Sequence, residues 1–180
     1  MCNHTSGPEH SPSPCGRGRF AALSGAALAA LLAVPAQSAG LIITHRLSAE
    51  TANALALEVV ASCARQGYAE TAVVVDADGV RQAVLRGDRA GSHTLDSAND
   101  KAYTAASFKS DTSALVERAK TVPGFSALFT LPHLLLFSGG VVIKLGSEVV
   151  GAVGAAGAPG GNLDDACARA GVAKVRDQLK

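Results

Sequence analysis

Two short glycine turns decide what kind of sheet this chain can build. Asp76-Ala77-Asp78-Gly79 lies between the β-branched run TAVVVD (71–76) and VRQAVLR (80–86). Gly146-Ser147 lies between GVVIKL (140–145) and EVVGAVGA (148–155). So short a connection returns the chain antiparallel to itself, because a parallel neighbour needs a crossover of about a dozen residues or more. Gly supplies the positive φ that such turns demand. A third turn, Gly139-Gly140, joins residues 133–138 (HLLLFS) to the strand after it, and 41–47 (LIITHRL) adds another β-prone run. An antiparallel sheet is therefore the frame.

Between these runs the apolar spacing changes to helical. Ser48 offers its hydroxyl to a helix start, with Glu50 in the first turn and Ala52, Leu55, Ala56, Val59 and Cys63 on one stripe. Gly67 provides the left-handed stop. A second helix is predicted over 95–108, capped by Ser92 or Thr94, with Leu95, Ala98, Ala102, Ala105 and Ala106 facing inward. Asp111 caps a third helix reaching Lys120. Pro123-Gly124 breaks the chain, and 125–132 reads as an apolar linker with one helical turn. After a glycine loop at 157–161, Asn162 caps a last helix over 163–179. Asp164 and Asp165 sit at its positive end, and Lys174, Arg176 and Lys180 near its negative end. The order β, α, ββ, α, α, βββ, α predicts an α+β domain: a mainly antiparallel, about five-stranded sheet with helices packed on it. The chain has 19 glycines, no Trp and only 4% aromatic residues, so the packing is close rather than bulky.

Residues 1–39 are read apart from the domain at 40–180. Residues 1–16 are polar and rich in Ser, Pro and Gly, and read as disordered. Arg17 and Arg19 then precede an apolar run over 20–34. Small residues follow at Val34-Pro35-Ala36, with Ala39 as the rival cleavage site. This is the order of a secretory signal peptide, and the run is short of the ~20 residues that span a bilayer. The expectation is a secreted or periplasmic protein without stable membrane insertion after cleavage. Removing Arg17, Arg19 and Glu9 from 16 basic and 15 acidic residues leaves no net charge. No large basic footprint for nucleic acid remains. Cys63 and Cys167 remain, either paired in an oxidising compartment or as two small buried hydrophobes.

Chemistry-bearing motifs are sparse. There is no CxxC, HExxH, P-loop Lys or GxSxG. The glycines of 151–161 lie largely inside a strand, which marks close packing rather than a nucleotide fingerprint. His93, beside a glycine-rich loop, is a candidate metal ligand or a surface histidine near a cap. His133 is a second candidate ligand, and His45 lies near the mature terminus. On the second helix, Tyr103 can contact a flat ligand or ligate iron, and Lys101 can pair with a propionate or phosphate. Helical spacing alone favours a partly exposed face there.

Three segments in register change that balance: TAVVVDADGVRQAVLRGDRAG, HTLDSANDKAYTAASFKSDTSAL and FSGGVVIKLGSEVVGAVGAAGAPGGNLDDACARAG. Together they resemble the GlcG/HbpS haem-binding family, whose domain also occurs at the C-terminus of PduO-type corrinoid adenosyltransferases. The resemblance spans 47–179, and KAYTAASF is its most specific part. It implies a compact antiparallel domain, homo-oligomers, and haem or a related tetrapyrrole as ligand. It does not imply catalysis. An acidic iron pair in the first helix is incomplete, because Glu58 has Ala61 three residues on.

Joined to the residues, the resemblance implies a haem site at the rim of loop 87–94: His93 as axial ligand, Arg89 and Lys101 as cations for propionates, and Tyr103 and Thr104 beside them. His133 is the reserve metal ligand. The function expected is exported haem binding, in capture, storage or sensing. The alternatives are an enzyme or accessory protein acting on a small metabolite or corrinoid, or a structural oligomer without a ligand.

Overall fold

The computed structural model describes residues 40–179; the expected leader and cleavage site lie outside them. From Ile42 onward the order is α1 (Ala49–Ala64), β1 (Thr71–Asp76), β2 (Arg81–Arg86), α2 (His93–Phe108), α3 (Thr112–Thr121), a 3₁₀ turn (Phe125–Thr130), β3 (Gly140–Leu145), β4 (Glu148–Ala156), α4 (Gly161–Val175) and a closing 3₁₀ turn (Arg176–Gln178). Ser48 caps α1 as expected, its Oγ accepting the Thr51 amide at 3.1 Å. Among the described residues, no helix is long and apolar enough to cross a membrane.

The sheet has four strands, not about five, in the order β2-β1-β4-β3, and every pairing is antiparallel. The two tight turns lie where the glycines put them. Two predicted strands are absent. Residues 41–47 carry no strand, and Ile42 and Ile43 stay in solvent. That segment is tied down by side chains instead: His45 to Glu148, and Arg46 to Asp76 and Asp78. Residues 133–138 form an irregular strap. His133 has φ +65°, which a strand does not tolerate, and the Leu135 amide bonds the Thr104 hydroxyl rather than a neighbouring strand.

Helices cover both faces of the sheet. On one face Leu55, Val59 and Cys63 of α1 meet Val74, Ile143, Val153 and Cys167. On the other, Ala98, Ala102, Ala105 and Ala106 of α2 meet Val73, Val75 and Ala152. The alanine stripe does what its size permits: a Cβ on Gly154 of β4 would lie 1.9 Å from the Ala98 carbonyl oxygen. Leu95 is the exception, partly exposed instead of inward. The helix begins two residues earlier than predicted, and Thr94 takes the inward position, its Oγ1 lying 2.6 Å from Thr71 Oγ1.

The cysteines are resolved as a disulfide, Cys63–Cys167, that joins α1 to α4 with a Cα separation of 5.5 Å. Gly160, not Asn162, occupies the N-cap position of α4, and the α-helix stops at Val175 rather than continuing to Leu179.

Candidate functional site: an α2 groove and a buried charged cluster

Tyr103 and His133 are neighbours. Their rings meet edge-on with centroids 6.4 Å apart, although 30 residues separate them. The strap causes this by folding back over the outer face of α2. His133 Nδ1 lies 3.4 Å from Asp100 Oδ1, one helical turn before Tyr103. Thr104 Oγ1 accepts the Leu135 amide at 2.8 Å and so fixes the strap beside them. Tyr103 is seated against the β1–β2 turn, where a Cβ on Gly79 would lie 2.7 Å from its ring. Tyr103, Phe108, Leu131, Pro132 and Leu134 line a groove of about 300 Å³. An imidazole with a carboxylate 3.4 Å away, next in the chain to two residues of an apolar groove, is a donor suited to a metal in a flat apolar ligand.

The other expected site residues are elsewhere. His93 and Arg89 are exposed at the opposite end of α2, and ten residues of helix put His93 about 15 Å from Tyr103 along the axis. The His93 ring lies over Gly91, where a Cβ would come within 2.6 Å of it. Arg89 lines a separate cleft with Tyr68, Gly87 and Asp88. Tyr103, Thr104 and His133 are thus brought together, and His93 and Arg89 are not brought to them.

Lys101 is also drawn away from the surface, although it lies on the same helix. Its ammonium reaches past the end of β4 to Asp164 Oδ2 (2.5 Å) and the Ala155 carbonyl (2.9 Å), and the pair is almost fully buried. Its charge is spent inside the fold, so it is not a surface cation for a propionate. Asp164 Oδ1 accepts the Ala158 amide at 3.0 Å, so the carboxylate closes the loop before α4 as well as facing Lys101.

Glu70 completes this cluster. Its side chain is buried just ahead of β1, and neither carboxyl oxygen has a hydrogen-bond partner. Burial raises its pKa to about 8, with the negative charge of Asp164 adding to the effect and the positive charge of Lys101 opposing it. Sequence reasoning missed Asp100, Glu70 and the inward role of Asp164. Asp164 reads as a helix-dipole complement, and nothing in the sequence pattern marks Glu70. Only the tertiary fold shows otherwise. Among the described residues, no group of three or more His, Cys, Asp or Glu could hold a bare metal ion.

Residues 47–173 match the family described as "Haem degrading protein HbpS-like". The chain belongs to the HbpS-like family. Its structure is similar to that of Streptomyces reticuli HbpS, solved as a double glutamate-to-aspartate variant, with a TM-score of 0.71 and 36% identity over 79% of this chain and 95% of that one. It shares its fold with the Klebsiella pneumoniae protein ORFY (TM-score 0.69, 22% identity, 76% and 94% covered). It also shares its fold with PduOC, solved as a heme complex (TM-score 0.63, 22% identity, 72% and 94% covered). None of the curated proteins matches. The expected GlcG/HbpS resemblance therefore holds across nearly the whole HbpS-like domain.

Proposed function

We propose that this HbpS-like protein binds haem in the groove between α2 and the strap, with His133 as the iron donor. The observation that carries the reading is His133 itself: Asp100 is 3.4 Å away, Tyr103 meets its ring edge-on, and its chain neighbours Pro132 and Leu134 line the groove. The donor set fits the group. Haem asks the protein for one or two axial donors and an apolar surface, not for a cluster of ligands. Iron in that ring supplies redox and ligand-binding chemistry when bound. The chain's own contribution is to hold the donor and the wall. The Asp100 carboxylate, 3.4 Å from Nδ1, favours a proton on that nitrogen, so Nε2 would be the donor. Thr104 positions the strap, and Phe108, Leu131 and Leu134 exclude water from one face of the ligand. The family's haem-degrading description and the heme held by PduOC support the choice of ligand.

Titration of the purified protein with hemin tests this. We expect a saturable shift of the Soret band that His133→Ala weakens about tenfold or more, while His93→Ala leaves it near the unmodified value. The reverse result would move the site to the start of α2, and indifference to both substitutions would remove histidine ligation altogether. Because a protonated imidazole cannot bind iron, hemin affinity should weaken in acid.

Export belongs to the same proposal. The disulfide supports it, since such bonds persist in oxidising compartments. Mass spectrometry of protein from the native host should find a chain beginning near Gln37 or Gly40. An intact Met1 in a soluble cytoplasmic fraction would overturn export.

A further inference from the structure

A second cleft lies between β3 and α4, on residues that the haem reading does not use. It measures about 320 Å³ and shares no residue with the α2 groove. Two elements supply its walls. Arg169 and Val172 of α4 and Arg176 at its C-cap follow one another at helical spacing, three and then four residues apart, so they share one face. Val142 and Lys144 come from β3, the edge strand of the sheet. Leu179, from the chain after the closing 3₁₀ turn, joins them. Val142, Val172 and Leu179 are only partly buried, so each still has apolar area to lose to a ligand.

The charges around the cleft do not cancel. Asp111 is the one acid in its lining, and it is already committed. Its Oδ1 accepts the Val142 amide at 2.9 Å, and its Oδ2 accepts from Arg169 Nη2 at 2.9 Å. Asp165 holds Arg169 from the other side, accepting from Nε at 2.6 Å. These bonds fix the guanidinium plane and leave its Nη1 without a partner among the described residues. Lys144 and Arg176 are exposed, and neither makes an ion pair among the described residues. Even with Asp165 counted, three cations meet two acids, and Lys144 and Arg176 carry the surplus.

We infer that this cleft binds a small organic acid with an aliphatic body, its carboxylate held by Lys144 and Arg176 and its chain laid against Val142, Val172 and Leu179. Arginine offers a planar fork that matches a carboxylate, and lysine adds a point charge that can swing to meet it. A bare inorganic anion would use the cations and leave the apolar wall wet. An amine would use the wall and meet like charge. Only an acid with an apolar body uses both. The volume lies at the small end of the ~300–1,000 Å³ that ligand pockets occupy, which suits a short-chain acid.

Octanoate is the probe, added to the full chain and followed by calorimetry and by amide chemical shifts. We expect saturable binding, with the shifts concentrated at 142–144 and 172–179. Lys144→Gln with Arg176→Gln should weaken it about tenfold or more, because charge-assisted hydrogen bonds are lost. Both side chains are exposed, so the double variant should keep its fold. Added salt should weaken binding as well. Acetate and inorganic phosphate, which lack the apolar body, and octylamine, which reverses the charge, should each bind at least about tenfold more weakly. No saturation at millimolar octanoate, or affinity indifferent to the double substitution, overturns the site. So does acetate, phosphate or octylamine binding as well as octanoate. Shifts centred on Tyr103 and Leu134 would place the acid in the α2 groove and overturn it too. His133→Ala should leave octanoate binding unchanged, so failure here and failure of the haem site are separate results.

Discussion

Lys101 shows how the fold can redirect a side chain that the sequence marks out for the surface. Its place on the KAYTA helix suggests a cation offered to a ligand, yet its ammonium contacts Asp164 and Ala155 inside the fold. Helical spacing places it three residues after Ala98 and one before Ala102, on the border of the buried stripe. What sequence cannot show is the gap at the end of β4 through which a long side chain reaches a carboxylate 63 residues away. Removing one partner strands the other, so Lys101→Met should cost about 3–5 kcal/mol in urea unfolding, and adding Asp164→Asn should recover part of it. Asp100 makes the opposite case at the groove. It is legible only once the strap places His133 against it, and Asp100→Ala should weaken hemin binding about tenfold or more while leaving the fold intact. Glu70 adds a pH signature to stability. Its folded pKa is raised, so its contribution is fully present in acid and is lost as pH rises from its ordinary value through about 8. The melting temperature of Glu70→Gln should therefore gain on that of the unmodified protein across this window and hold the gain above it.

Elements were legible where local chemistry and tertiary demand agree. The β1–β2 and β3–β4 hairpins carry β-branched runs and glycine turns, and they form as read. The runs at 41–47 and 133–138 have the same apolar content but meet no strand edge. The outer edge of β3 is occupied, with the Val142 amide bonded to Asp111 and the Gly140 amide to Thr112. With that edge closed, residues 133–138 half-bury their leucines against α2 and become the wall of the groove. Pattern alone cannot report an edge closed by side chains 28 and 31 residues away. The alanine stripe of α2 carries its own prediction. Gly154→Ala would drive a methyl into the Ala98 carbonyl, so α2 must lift from the sheet at a cost of at least about 1–3 kcal/mol. On the opposite face, the disulfide joins positions 104 residues apart, and replacing both cysteines with alanine should cost about 2–5 kcal/mol.

At the scale of the whole molecule, the distribution of apolar surface points to more than one copy. Leu128, Leu131 and Phe137 are each 42–56% exposed along one stretch of 3₁₀ turn and strap. Without net charge on the domain after residue 39, long-range repulsion does little to keep copies apart. Sheet extension is a poor route to association. Asp111 and Thr112 cap the β3 edge, and β2, the other edge, bears Arg81 and Arg86 at its ends. Side-chain packing through the 3₁₀ turn and strap is the route that remains, and it would bury apolar area that a small Gly- and Ala-rich domain otherwise leaves in water. Light scattering at micromolar concentration should then give a mass above one subunit. Leu128→Asp with Phe137→Asp should lower that mass while the far-ultraviolet circular dichroism stays unchanged. Leu131 is spared because it lines the groove, so hemin titration of the same variant becomes informative. Binding that survives in the dissociated form places the whole ligand site within one chain. Binding lost together with the mass means that a second copy covers the open face of the haem. An unmodified protein that is monomeric under these conditions would remove the association and leave Leu128 and Phe137 as ordinary exposed apolar residues.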